Sequence, residues 1–190
     1  MLTPAEYEDY ELRTSGAGDW TSEIAGFEGT EDEWRSVAKL TKQRDDAVKE
    51  VNRQFHDKLI NQDALKEAVK GLNAQLASAR KETLGPERAA EVERGSSGEY
   101  RQLRAVLQRY EMDSALAARA YEIQQTAMTH ANELRKDQNV DPEIRRAALE
   151  AIRQETERTL AETLGPKVLA TYQKYDRGWF EKLGGAGDAK

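Results

Sequence analysis

From Trp34 onward, apolar positions recur at steps of three and four: Val37, Thr41, Val48, Val51, Phe55 and Leu59, with Arg44 standing in one slot of the stripe. That spacing lines one face of an α-helix. Thr30 followed by Glu33 is a capping box, in which hydroxyl and carboxylate satisfy free N–H groups at a helix start. The pattern therefore predicts a long amphipathic helix over 31–59. Asn61 offers the next N-cap, with Ile60 and Leu65 spaced as a hydrophobic staple. Leu65, Ala68, Leu72, Leu76, Ala79 and Thr83 stripe a second helix, which stops at Gly85-Pro86. Glycine readily takes the backbone conformation that ends a helix, and proline cannot extend one. Two helices joined by so short a turn form an antiparallel hairpin.

The second half of the chain repeats the first. Asp113 caps a helix striped by Leu116, Ala120, Ile123, Ala127, Ala131 and Leu134. Asp141-Pro142 supplies N-cap and first helical position for the next, which ends at Gly165-Pro166. A shift of 80 residues lays Glu82-Thr83-Leu84-Gly85-Pro86 on Glu162-Thr163-Leu164-Gly165-Pro166 without a gap, and Leu72 on Ile152. Tyr100 falls on Phe180 and Leu103 on Leu183 in the same alignment. Duplication accounts for this economically. A partial third copy opens the chain, where Leu2-Thr3-Pro4, Gly16, Gly18 and Trp20 echo the segments after each Leu-Gly-Pro. It reads as the tail of a preceding unit.

The expected fold is all-α: tandem antiparallel helical hairpins in two units of about 80 residues, elongated, with short cross-helices. At about 1.5 Å per residue the long helices would each span roughly 35 to 43 Å. The expected division is a partial unit at 1–29, a first hairpin unit at 30–109 and a second at 110–190 ending in a flexible tail. Ser15 to Gly18 and Gly95 to Gly98 read as Gly/Ser linkers.

Composition narrows the possible chemistry. The 35 acidic and 29 basic residues give a net charge of −6, with signs interleaved along the chain. Phosphate backbones are bound by a basic face, so a nucleic-acid partner is not expected. The absence of cysteine excludes disulfides, thiolate metal sites and cysteine nucleophiles. No run approaches the roughly 18 apolar residues of a membrane span. His56 and His130 occupy different repeat positions, and neither stands in a Glu-x-x-His pair of the kind that builds di-iron sites. Gly16-Ala17-Gly18 lacks the Gly-Lys-Ser/Thr of a phosphate loop. No catalytic residue, cofactor or metal is therefore expected.

Two features stand apart from this plain background. Aromatics cluster on or beside the stripes, and Trp34, Phe55, Tyr121 and Trp179 are either core residues or anchors for a partner chain. Arg44 either snorkels past the seam or pairs with a carboxylate such as Glu122 or Glu155 on a facing helix.

Leu2-Thr3-Pro4-Ala5-Glu6, the Leu-Gly-Pro ends of each hairpin and the long helices between them carry a resemblance. The chain resembles uncharacterised helical-repeat proteins of planctomycete- and verrucomicrobia-type bacteria, in which such units follow an N-terminal membrane segment. More distantly it is similar to the periplasmic helical-hairpin stress proteins of the Spy and CpxP kind, although Glu6-Tyr7 stands where that family typically has Gln. The resemblance implies the periplasmic side of a cell envelope, an anchor upstream, and chaperone-like binding of protein partners. The expected function is a non-enzymatic scaffold or protein-binding module. The alternatives are a self-assembling homodimer or filament, and a metal-responsive sensor or enzyme using His56, His130 and acidic clusters.

Overall fold

The computed structural model describes Thr3, Tyr10, residues 24–175 and residues 177–184. The expected copy at the start of the chain, with Gly16, Gly18 and Trp20, lies largely outside the described residues, as does the tail after Gly184. Among the described residues the chain is all-helical, with α1 (Glu31–His56), α2 (Gln62–Leu84), α3 (Pro86–Ser96), α4 (Gly98–Arg109), α5 (Ser114–Lys136), α6 (Pro142–Leu164), α7 (Pro166–Tyr175) and α8 (Arg177–Leu183). No helix among them is long and apolar enough to cross a membrane.

Two compact units divide between Ser96 and Ser97. The boundary expected at 109/110 thus falls earlier, and α4 joins the second unit. Tyr100, Leu103, Val106 and Leu107 of α4 are all buried, and α4 packs on α5 and α7. Gly95 to Gly98, read as a linker, is mostly helix. Gly95 lies buried inside α3, where an added Cβ would meet the Ala25 carbonyl oxygen at 2.7 Å. Ser97 alone separates α3 from α4, and its hydroxyl caps α4 by accepting from the Tyr100 N–H at 3.3 Å.

In the first unit, α1 and α2 form the hairpin and α3 packs beside α2. The capping box forms as its residues dictate: the Glu33 N–H donates to Thr30 Oγ1 at 3.3 Å and the Thr30 N–H to Glu33 Oε2 at 2.7 Å. α1 ends at His56, short of the expected Leu59, because the backbone turns left-handed at Lys58 (φ 59°). Asn61 then caps α2, accepting from the Ala64 N–H at 2.8 Å. The core lies at the base of the hairpin, where Ile24, Phe27, Val37 and Val92 cluster with Trp34 and Leu84 against them. Beyond it the hairpin is two helices thick. No residue from 42 to 88 is buried, and α2 contributes none to the core.

The base is clamped by Arg88 of α3. Its guanidinium donates to Glu33 at 2.8 and 3.0 Å, to the Glu28 carbonyl at 2.9 Å and to Glu91, and lies 4.5 Å from the Phe27 ring centre. Arg88 first, then the Thr30 N–H, hold the Glu33 carboxyl down at about 2, against an ordinary 4.5. A carboxylate lowered in the folded state stabilises the fold above its unfolded pKa and stops doing so as pH falls through the folded value. The melting difference between wild type and Glu33→Gln is therefore expected to be largest above pH 4.5 and to shrink toward pH 2. Thermal melts of the two proteins across that window test this, and a difference that does not vary with pH would rule the clamp out as an electrostatic device.

The second unit builds the same hairpin with a continuous core. Pro142 and Leu164 bound α6 just 80 residues after Gln62 and Leu84 bound α2. The terminating glycines share one conformation, with φ, ψ of 82°, 160° at Gly85 and 79°, 149° at Gly165. On α5 the buried face runs through Ala117, Ala120, Gln124, Ala127 and Ala131. It is rotated slightly from the expected stripe, leaving Leu116, Ile123 and Leu134 half-buried. Small side chains let helices approach closely, and α6, which packs on α5, buries Leu149, Leu160 and Leu164. The one long polar group in the α5 seam is satisfied, since Gln124 Oε1 accepts from the Tyr172 hydroxyl at 2.8 Å.

Candidate functional site

Of the four aromatics singled out in the sequence, Trp34 and Phe55 lie in the first unit and Tyr121 and Trp179 in the second. Trp34 and Phe55 stand 21 residues apart on α1, about 30 Å along the axis at the usual rise per residue. Trp34 is half-buried at the base, edge-on to Phe27 with ring centres 4.9 Å apart. Tyr121 is likewise half-buried, edge-on to Tyr100 at 5.5 Å. Trp179 is buried, 3.8 Å from the Phe180 ring and 6.3 Å from Tyr172, which makes it a core residue of the second unit rather than an exposed anchor. Phe55 opens onto a cavity, of about 460 Å³ at the hairpin turn, beside the exposed Leu59 and the half-buried Ile60.

A larger groove lies between α5 and α6. It has about 550 Å³, a floor of Ile123, Ala127 and Ile152, and a rim that includes Arg119, Glu122 and Glu155. His130 also lines it. Glu155 receives the Arg158 guanidinium at 2.6 and 3.0 Å, and this ion pair pulls its carboxyl below the usual range. A general acid needs the opposite shift, upward toward the working pH. The same direction holds for Glu33, Asp46, Glu50, Glu99 and Glu150, each lowered chiefly by a hydrogen-bond donor. Among the described residues, no three of His, Cys, Asp or Glu come together in a way that would hold a metal ion.

Arg44 belongs to the first unit, and Glu122 and Glu155, the carboxylates suggested for it, to the second. Within its own hairpin its Nε lies 3.2 Å from Asp45, outside hydrogen-bonding geometry. Across the seam α2 brings Arg80, whose Nη2 donates to Thr41 Oγ1 at 2.9 Å. Periodicity does not single out Arg80, because a long charged side chain beside an apolar stripe ordinarily lies along it and reaches water. Its signal was available in the repeat: 80 residues on stands Leu160, fully buried.

The architecture is that of an all-α protein of two hairpin-bearing units, with open apolar grooves and charged rims. Comparison with protein-family models, with curated proteins and with solved structures returned no match for the chain.

Proposed function

We propose that this chain is a non-enzymatic helical scaffold that binds other polypeptides along its hairpin seams, in the manner of an envelope chaperone. The observation carrying this is the first hairpin's seam, where Val48, Val51, Phe55, Leu65, Leu72 and Leu76 all remain partly exposed between helices. An apolar strip of that length, flanked by charge, suits an extended or helical client laid into the groove. Flanking ion pairs such as Lys42 with Asp46 at 2.8 Å and Arg53 with Glu50 at 2.7 Å are worth little in stability but keep the rim hydrated. The envelope location, the upstream anchor and the chaperone comparison rest on the resemblance of Leu2-Thr3-Pro4 and the Leu-Gly-Pro ends.

Near-equimolar protein is expected to suppress aggregation of a chemically unfolded client without ATP, beyond a serum albumin control. Val51→Asp together with Leu72→Asp should abolish the effect while leaving the buried cores untouched. Suppression no greater than albumin gives would sink the chaperone reading. Light scattering over a dilution series addresses self-assembly, because a strip closed by a second copy gives a concentration-dependent mass.

A further inference from the structure

The first hairpin holds a polar arrangement that its fold does not need. Arg44 and Arg80 face the same cavity, of about 230 Å³, which lies between α2 and α3 with Arg44 reaching it from α1, and Asn73, Lys81 and Glu93 are among its other walls. Both guanidinium groups have Nε shielded from water and without a hydrogen-bond partner. Burial, and then the neighbouring charge of Arg44, push the Arg80 guanidinium down from its ordinary value, while Glu93 and Asp45 act in the other direction. Arginine stays charged at neutral pH regardless. Two like charges therefore sit together at a partly desolvated seam, an arrangement that costs free energy unless a counter-charge completes it.

The second unit shows what the same register looks like without that cost. Eighty residues after Arg44 and Arg80 stand Gln124 and Leu160, and after Lys81 stands Ala161. Gln124 is tied to Tyr172 and Leu160 is fully buried, so a neutral pair closes an equivalent seam between α5 and α6. Folding a hairpin of this kind does not require cations at these positions. The charges nearest the cavity are Arg44, Arg80 and Lys81 against Asp45 and Glu93, which leaves one positive charge in excess.

We propose that the cavity between Arg44 and Arg80 is a binding site for a small oxyanion, phosphate or carboxylate, received by the two guanidinium groups with Lys81 and Asn73 at the mouth. Guanidinium forks match the paired oxygens of such anions, and each charge-assisted bond is stronger than a neutral one. The site is independent of whether the seams bind polypeptides. The anion would tie Arg44 of α1 to Arg80 of α2 beside the buried Ala89 of α3, at the edge of the hairpin's small core.

The test is calorimetric titration of the whole chain with inorganic phosphate and, separately, with acetate, against chloride at matched ionic strength. Saturable binding of either oxyanion is expected, and which one binds identifies the source. Arg44→Gln combined with Arg80→Leu installs the residues found at this register in the second unit, and should weaken binding by at least about tenfold. No saturable binding in the wild type, or undiminished binding in the double variant, overturns the proposal. If circular dichroism shows that the double variant has lost helix, Lys81→Gln at the exposed mouth decides instead. Weaker binding there supports the site, and unchanged binding overturns it.

Discussion

Leu103→Ala is expected to destabilise the protein by about 2–5 kcal/mol, the range for emptying a large, fully buried aliphatic position. Leu103 has no exposed surface. It lies on α4, the helix whose side chains are committed to the second unit, packed on α5 and α7. The loss should therefore be confined in space. Amide hydrogen exchange resolved along the chain is expected to show faster opening across α4, α5 and α7, with α1 and α2 unchanged. Loss of protection in α1 and α2 instead would assign α4 to the first unit, which is where a boundary at 109/110 had put it. A cost under 1 kcal/mol would mean that the site collapses around the smaller side chain, and that the second unit's core is looser than its burial indicates.

That boundary shows which parts of the structure the sequence could carry. Thr30, Asn61, Asp113 and Asp141 each cap a helix as expected, because capping is settled by a side chain and N–H groups two or three residues away. The stops at Gly85 and Gly165 were legible for the same reason. The unit boundary was not, because nothing in residues 95–98 reveals that Gly95 is a contact point. A glycine beside two serines looks like a linker until the Ala25 backbone is placed against it, with the Ala25 N–H donating to the Gly95 carbonyl at 3.0 Å. Tertiary contact overrode the local signal there, as it did at Trp179, whose indole the stripe pattern left free to be surface or core.

The oxyanion cavity lies between these two cases. Arg44 was visible as an interruption in an apolar stripe, which local periodicity reports well. Arg80 was not, because a long side chain beside a stripe ordinarily lies along it and reaches water. Only the pairing of α1 with α2 brings the two together, and only the second unit shows that the fold has a neutral solution at the same register.

Gly85→Ala and Gly165→Ala are expected each to cost about 1–3 kcal/mol, and to cost nearly the same. At φ of 82° and 79° with extended ψ, both glycines occupy a region that is all but closed to side chains bearing Cβ. Neither position is crowded, since an added Cβ would meet nothing within 4 Å at either one. The penalty is therefore purely one of backbone strain, which is why the sparse first hairpin and the well-packed second unit should register it alike. Gly71 supplies the contrast. It too has nothing within 4 Å of an added Cβ, but it sits inside α2, where Ala is favoured over Gly by about 0.5–1 kcal/mol. Urea unfolding of the three variants should thus give two losses and one gain from the same chemical change. A loss at Gly165 much larger than at Gly85 would mean that packing in the second unit, rather than the shared Leu-Gly-Pro turn, sets the cost of ending each hairpin.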